Sequence, residues 1–282
     1  MQKYVQLILK PEHLDSGITD IIVALLNSYG FESFLCSRNE VSAYISKDSF
    51  DKSLIETIGE LPVFQGNKLN ITTDIIEKQN WNKVWERDYK PIVIPGICAI
   101  LAPFHPVISE PYILKIEPKM SFGTGHHETT RLMIRQIFSS DMKNKTVLDM
   151  GCGTGVLGIF SVLRKAKYIT GIDIDEWAVK NSIENFERNN IQADYYSIIA
   201  GDASVIPGKK FDIVLANINK NIILTNLQEY IYHLSESGLL IISGVLSKDR
   251  DEIMEKASSL GITFISELYE NSWISLKFRK YF

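Results

Sequence analysis

Cysteine is scarce in this sequence. Cys36, Cys98 and Cys152 lie far apart and form no CxxC pair. A disulfide framework and a cysteine-based zinc cluster are therefore excluded, and a reducing compartment is expected. Long apolar runs are also missing. The most apolar stretch, PIVIPGICAILAPF (91–104), is too short to cross a bilayer and contains Pro91, Pro95 and Pro103. The start, MQKYVQLILKPEHLDSG, has no basic end, long apolar core or small-residue cleavage site. These absences predict a cytoplasmic protein with no membrane partner. Nor is there an excess of positive charge. The formal net charge of −4 argues against electrostatic capture of nucleic acid, which needs a concentrated basic face. No GxxxxGK[S/T] occurs, so a phosphate loop is excluded. No HExxH occurs either, because His127-Glu128 is followed by Arg131 where the second histidine should stand. No metal site is expected.

What remains is an ordinary globular composition, 45% hydrophobic and 23% charged. A chain of 282 residues suits two domains better than one. The amino-terminal part has a clear rhythm. YVQLILK (4–10) alternates like a strand, and residues 12–30 carry apolar positions at helical spacing up to Gly30. Residues 31–37 and 41–47 read as two strands, 49–61 as a helix closed by Pro62, and 68–76 as a last strand. The order βαββαβ is the ferredoxin-like split motif, over residues 1–77. RNA-recognition modules share it, but their aromatic-rich third strand is absent. VSAYISK has one aromatic and no glycine. Residues 78–92 form a linker helix with Trp81 and Trp85 on one face. The two rings either staple that helix to a domain or touch a substrate.

Over 93–282 strands alternate with helices. Strands are expected at 92–102 and 112–117, then at 146–150, 168–173, about 195–201, 211–217 and 237–246. A closing strand pair covers 262–270 and 272–280. This is a parallel, Rossmann-like α/β sheet with an antiparallel edge.

The loop DMGCGTGVLG (149–158) follows a strand and opens a helix. Gly151, Gly153 and Gly155 allow tight turning and close ligand approach. Gly153-x-Gly155-x-x-Gly158 also satisfies the dinucleotide fingerprint. Two acids argue against a dinucleotide. Asp149 ends the strand, where a carboxylate would repel a pyrophosphate and welcome a cationic ligand. Asp173 ends the next strand, where it can accept bonds from ribose hydroxyls. Together they point to S-adenosylmethionine.

The combination FGTGHHETT, LDMGCGTGVLGI, GIDID and DIVLANI resembles the ribosomal protein methyltransferase family called PrmA. The resemblance extends over essentially the whole chain, through the amino-terminal βαββαβ part and the tryptophan-bearing linker. Family members usually read GTGTHPTT, whereas this chain has His126 and Glu128 at the threonine and proline positions. The resemblance implies a class I methyltransferase domain preceded by a substrate-recognition domain. It implies S-adenosylmethionine as co-substrate and ribosomal protein L11 as partner, methylated on lysine side chains and the amino-terminal amine. It places Thr130 and Asn217 at the donor. Phe122, with Gly123-Thr124-Gly125, is then a lid over the donor. No histidine is assigned as a base. A monomer is expected, without direct nucleic-acid binding. Two other readings use the same scaffold: an RNA or small-molecule methyltransferase, and a donor-binding ribosome-assembly module without turnover.

An aligned donor leaves the enzyme little chemistry beyond positioning. The attacking amine must be neutral, which costs about 4.6 kcal/mol for lysine and about 1.4 kcal/mol for an α-amino group at pH 7. A dry pocket lowers that cost by disfavouring the charged amine. No dedicated base is evident, so Asn217 is expected to orient the amine.

Overall fold

The computed structural model describes residues 3–11, 16–37, 39–60, 69–77, 89–118, 123 and 125–281. Phe122, Thr124, Trp81, Trp85 and most of the 78–92 linker fall outside the described residues. The chain divides into two compact units, Met1–Tyr89 and Lys90–Phe282.

The first unit runs β1 (Lys3–Pro11), α1 (Ser16–Ser28), β2 (Ser33–Cys36), β3 (Val41–Ser46), α2 (Ser53–Gly59) and β4 (Leu69–Glu77). Its sheet has the order β2-β3-β1-β4, antiparallel throughout. Alternation puts Val5, Leu7 and Leu9 of β1 on the same face as Val41, Ala43 and Ile45 of β3. There they bury Ile22 and Leu26 of α1 and Ile58 of α2. α1 stops two residues before Gly30, whose positive φ of 89° breaks the helix. The Phe31 N–H then reaches back to the Leu26 carbonyl at 3.1 Å.

The second unit opens with a small sheet, β5 (Ile92–Ile94), β6 (Cys98–Leu101) and β7 (Tyr112–Lys115). The main body continues as α3 (Glu128–Phe138), β8 (Thr146–Met150), α4 (Val156–Leu163), β9 (Tyr168–Asp173) and α5 (Glu176–Arg188). It runs on through β10 (Tyr196–Ala200), β11 (Phe211–Asn217), α6 (Lys220–Tyr232), β12 (Leu234–Leu246), α7 (Arg250–Ser259), β13 (Thr263–Glu270) and β14 (Trp273–Arg279). The large sheet has the order β10-β9-β8-β11-β12-β14-β13. The first five strands are parallel, and β14 inserts antiparallel between β12 and β13. The expected antiparallel edge is thus a hairpin whose second strand lies inside its first.

Both faces of the sheet are covered, so the central strands are apolar on both sides. Val147, Ile213 and Leu215 pack with Met133 and Ile134 of α3 and Ile159 and Phe160 of α4. Leu148, Met150, Val214 and Ala216 pack on the other side with Ile223 and Leu227 of α6 and Ile253 of α7. Strand order reverses between β8 and β11, and ligands of such sheets bind at the carboxyl ends of the strands beside that reversal.

α3 is bolted to the β13–β14 hairpin. Glu270 accepts from Arg131 Nε at 2.7 Å and from Arg135 Nη1 at 2.6 Å. Asn271 donates to Glu128 at 2.8 Å, and Lys277 Nζ donates to Ser139 Oγ at 2.9 Å near the carboxyl end of α3. Glu270→Gln removes the charge shared by two arginines and is expected to destabilise the protein by about 1–3 kcal/mol, read from the urea midpoint. A midpoint equal to the parent's would mean that the hairpin is held by packing alone.

Candidate functional site

At the carboxyl end of the large sheet lies a cleft of about 470 Å³, within the usual range for small-molecule sites. Met150, Gly151 and Gly153 form its floor. Ile172, Asp173, Ile174 and Asp175 from the end of β9 form one side, joined by Gly201, Asp202 and Ala203 after β10. Asn217, Ile218 and Asn219 after β11 form the other, with His127, Thr129, Gly244 and Trp273 beyond. Three carboxylates, Asp173, Asp175 and Asp202, line this space, and no lysine or arginine does so among the described residues. Such a cleft favours a cation and opposes a phosphate.

The glycine loop is held from below. The N–H groups of Gly151 and Cys152 both bond the Ile172 carbonyl, at 2.8 and 3.1 Å, and that of Gly155 bonds Cys152. The Gly153 N–H bonds Asp173 Oδ2 at 2.8 Å, while Asp173 Oδ1 accepts from the Asp175 N–H at 3.0 Å. A pyrophosphate cradle needs such N–H groups free to face the ligand; here they are used inside the chain. Asp173 stays on the cleft wall with lone pairs left for hydroxyl donors.

Asn217 ends β11, and its side chain turns toward α3, where Nδ2 makes a long 3.5 Å contact with Thr130 Oγ1. Oδ1 is buried and has no hydrogen-bond partner among the described residues. The segment after it is wedged by two glycines. A Cβ on Gly151 would stand 2.3 Å from Ile218 Cγ2, and a Cβ on Gly244 would stand 2.2 Å from the Ile218 carbonyl oxygen. Both glycines have positive φ, 66° and 82°, a region that L-residues with a Cβ resist. The second approach is to backbone, which no rotamer change relieves.

Asp149 and Thr130 are not on the cleft wall. Asp149 lies in the sheet beneath the glycine loop, 1% exposed, with neither carboxylate oxygen hydrogen-bonded to a described residue. Burial pushes its pKa up to about 7. The Gly158 N–H pulls the other way without completing a bond, and the Asp173 charge adds to the rise. Alternation along β8 puts its carboxyl on the face opposite Leu148 and Met150. The sequence shows only that the acid ends a strand. Thr130 is wholly buried, and its neighbour Thr129 reaches the cleft instead.

The two histidines, given no role by the sequence, are both engaged. His127 is the N-cap of α3, its Nδ1 accepting from the Thr129 N–H at 3.3 Å, and its ring meets Trp273 edge to face at 4.6 Å. His126 Nε2 lies 3.1 Å from the Lys90 carbonyl, and burial lowers its pKa. Gly123 is fixed by Thr154 Oγ1, which donates to its carbonyl at 2.7 Å. The sequence reading missed Asp202, Asp175, Asn219 and Trp273. The first three had a signal, since each comes after a strand and caps the next helical turn, accepting from Ser204, Trp177 and Ile222 N–H groups respectively. Trp273 comes from the distant hairpin and had none.

A family model described as ribosomal protein L11 methyltransferase (PrmA) matches residues 19–281. A ribosomal protein L11 methyltransferase of Phocaeicola vulgatus is 38% identical over 280 residues, 98% of this chain and 99% of the relative. The one from Bacteroides thetaiotaomicron matches to the same extent. The crystal structure of a ribosomal protein L11 methylase from Lactobacillus delbrueckii subsp. bulgaricus superposes with a TM-score of 0.63 at 27% identity, covering 68% of this chain and all of that one. With the acidic cleft, the occupied glycine-loop amides and the strand order, these matches give one conclusion: the chain belongs to the ribosomal protein L11 methyltransferase (PrmA) family and is a methyltransferase whose methyl donor is S-adenosylmethionine.

Proposed function

We propose that this enzyme methylates ribosomal protein L11 on amines, both lysine side chains and the terminal amine, in the cytoplasm and as a monomer. The residues 1–77 would hold the protein substrate. One observation carries the site reading. The Asn217 Oδ1 is a buried acceptor without a partner among the described residues, on a residue that lines the cleft. Buried polar atoms are rarely left unpaired unless a ligand completes them. An amine N–H is the complementary donor.

The rest of the site fits the donor by the same test. Asp173, fixed at both oxygens, would accept from the ribose hydroxyls. Gly151 and Gly153 present bare main chain for close approach, and Thr130 supports Asn217 from behind. Asp149, buried without a hydrogen-bond partner among the described residues, would act through the field beneath the loop, attracting positive charge without touching it. Phe122, outside the described residues, keeps its assignment as part of the lid. When bound, the donor supplies a methyl group already activated by its sulfonium. The chain's own work is to exclude water, which favours the neutral amine, and to aim its lone pair through the Asn217 carbonyl. No lining side chain is placed as a base, so the amine proton is lost to solvent on entry.

Three outcomes test this. Asn217→Ala is expected to lower kcat about 10- to 100-fold at saturating donor, the value of one hydrogen bond to a developing charge. A kcat equal to the parent's would remove Asn217 from the chemistry. Deleting residues 1–77 is expected to leave donor affinity within about threefold and to abolish methylation of L11, followed with labelled donor in separate protein and RNA fractions. Label entering RNA instead would favour the RNA methyltransferase reading. The third concerns pH. With its pKa near 7, folded Asp149 keeps a proton that the unfolded chain releases near pH 4. Stability of the ligand-free protein therefore falls as pH rises from about 4 to 7, by about 4 kcal/mol at most. Asp149→Asn should gain stability relative to the parent across that window in thermal melts. Its donor affinity should also lose the rise with pH that the parent shows as the carboxyl ionises. Parallel melting curves at every pH would contradict the buried carboxyl.

A further inference from the structure

The end of the large sheet opposite the cleft carries a row of lysines. Lys165 and Lys167 precede β9, Lys143 and Lys145 precede β8, Lys209 and Lys210 precede β11, and Lys280 comes after the antiparallel β14. Contacts join them into one surface. The Lys167 N–H bonds the Lys145 carbonyl at 2.8 Å, and the Asn144 N–H bonds the Lys165 carbonyl at 2.9 Å. Lys209 Nζ stands 4.9 Å from the Tyr168 ring centre and 5.2 Å from that of Phe211. Lys210 Nζ stands 3.9 Å over Tyr232 and donates to its carbonyl. Lys280 Nζ donates to the Ile231 and Leu234 carbonyls at 2.9 and 3.1 Å. Burial, and then the charge of Lys210, lower the pKa of Lys280. Asp141, Asp194, Asp212, Glu229 and Glu236 are among the acids of this end, and Asp212 Oδ1 stands 3.8 Å from Lys145 Nζ. Asp141 and Asp212 are tied to the Lys143 N–H and to Thr146, and Glu229 to His233. Lys143, Lys165, Lys167, Lys209 and Lys210 are exposed.

We propose that this end of the sheet binds single-stranded nucleic acid. The lysines lie along the ends of strands ordered β9-β8-β11-β12-β14. At about 4.8 Å between neighbours, that row spans about 19 Å, and its exposed lysines, Lys143, Lys165, Lys167, Lys209 and Lys210, can meet about five phosphates of a flexible strand. A single anion would need lysines that converge, whereas a row matches a linear polyanion. Two exposed rings flank it, Tyr232 at 62% and Tyr281 at 47%, and bases stack on such rings without regard to sequence. The formal charge of −4 conceals this face, where the row of lysines outnumbers the acids, because three further acids line the cleft. The surface lies at the far end of the strands from the cleft, so nucleic acid and methyl donor bind together. The proposal does not depend on which protein is methylated.

The test is fluorescence anisotropy of the full chain with a labelled oligouridylate of about twenty residues, from about 50 to 200 mM salt. About five phosphate contacts give a slope of log affinity on log salt near −3.5, a loss of roughly 100-fold over that range. A triple variant, Lys143→Gln, Lys167→Gln and Lys209→Gln, should make the slope shallower by about 2 while donor binding is unchanged. Tyr232→Ala should weaken binding at least fivefold with the slope retained. A control triple, Lys180→Gln, Lys248→Gln and Lys256→Gln, should leave the slope as it is. The proposal is overturned if the oligouridylate does not bind at the lowest salt, or if the control triple changes the slope equally. It is also overturned if phosphatidylserine vesicles bind this row and the oligouridylate does not.

Discussion

The Asp173 carboxylate, bonded by the Gly153 N–H at 2.8 Å and the Asp175 N–H at 3.0 Å, is the clamp on which the cleft depends. It ties the glycine loop after β8 to the turn after its neighbour β9. The Ile172 carbonyl completes the tie by accepting from Gly151 and Cys152. The consequence is chemical as much as structural. A loop whose amides are used within the fold offers a ligand bare surface and not a nest of donors. The charge that faces the ligand is then carboxylate. Loops of similar sequence can therefore serve opposite ligands, and the hydrogen-bond partners of the amides separate them where the glycine pattern does not.

A second constraint fixes the other wall. Ile218 is caught between Gly151 and Gly244: a Cβ on Gly151 would press on its side chain, and one on Gly244 would displace the backbone of the segment that carries Asn217. Gly244 stands where β12 loses register with β14, between Ile242 and Val245. A bulge of this kind re-aims the chain next to a site. The position of Asn217 beside the cleft is thus set by three strand ends together.

Much of this was legible in the sequence, for identifiable reasons. Period-two and period-3.6 patterns revealed most of the strands and helices, because each must bury a face of its own. The strand-end positions of Asp173 and Asn217 were readable, since a residue after a buried strand in such a sheet falls at its carboxyl end. Depth was not readable. Asp149 occupies a strand-end position too, yet it points beneath the loop into the packed layer under α3 and α4 instead of onto the wall. Thr130 and Thr129 are adjacent on one helix, and a turn of about 100° per residue decides which of them reaches the cleft. Neither distinction can be drawn from residue type or spacing. Trp273 was hidden for another reason. It enters through the pairing of a carboxy-terminal hairpin with α3, held by Glu270 and two arginines, a contact separated by well over a hundred residues.

The distribution of charge shows the same limit in a more general form. A parallel sheet sorts loop residues by direction: those after a strand go to one end and those before it go to the other. Here the residues after β9 and β10 include Asp173, Asp175 and Asp202, while those before β8, β9 and β11 include Lys143, Lys145, Lys165, Lys167, Lys209 and Lys210. In the linear sequence acids and lysines alternate and nearly cancel. Folding separates them by the length of a strand, about 17–20 Å, well beyond the screening length of about 8 Å at physiological salt. The two ends therefore act as independent electrostatic surfaces, one suited to a cationic small molecule and the other to a polyanion. A net charge computed over the chain describes neither.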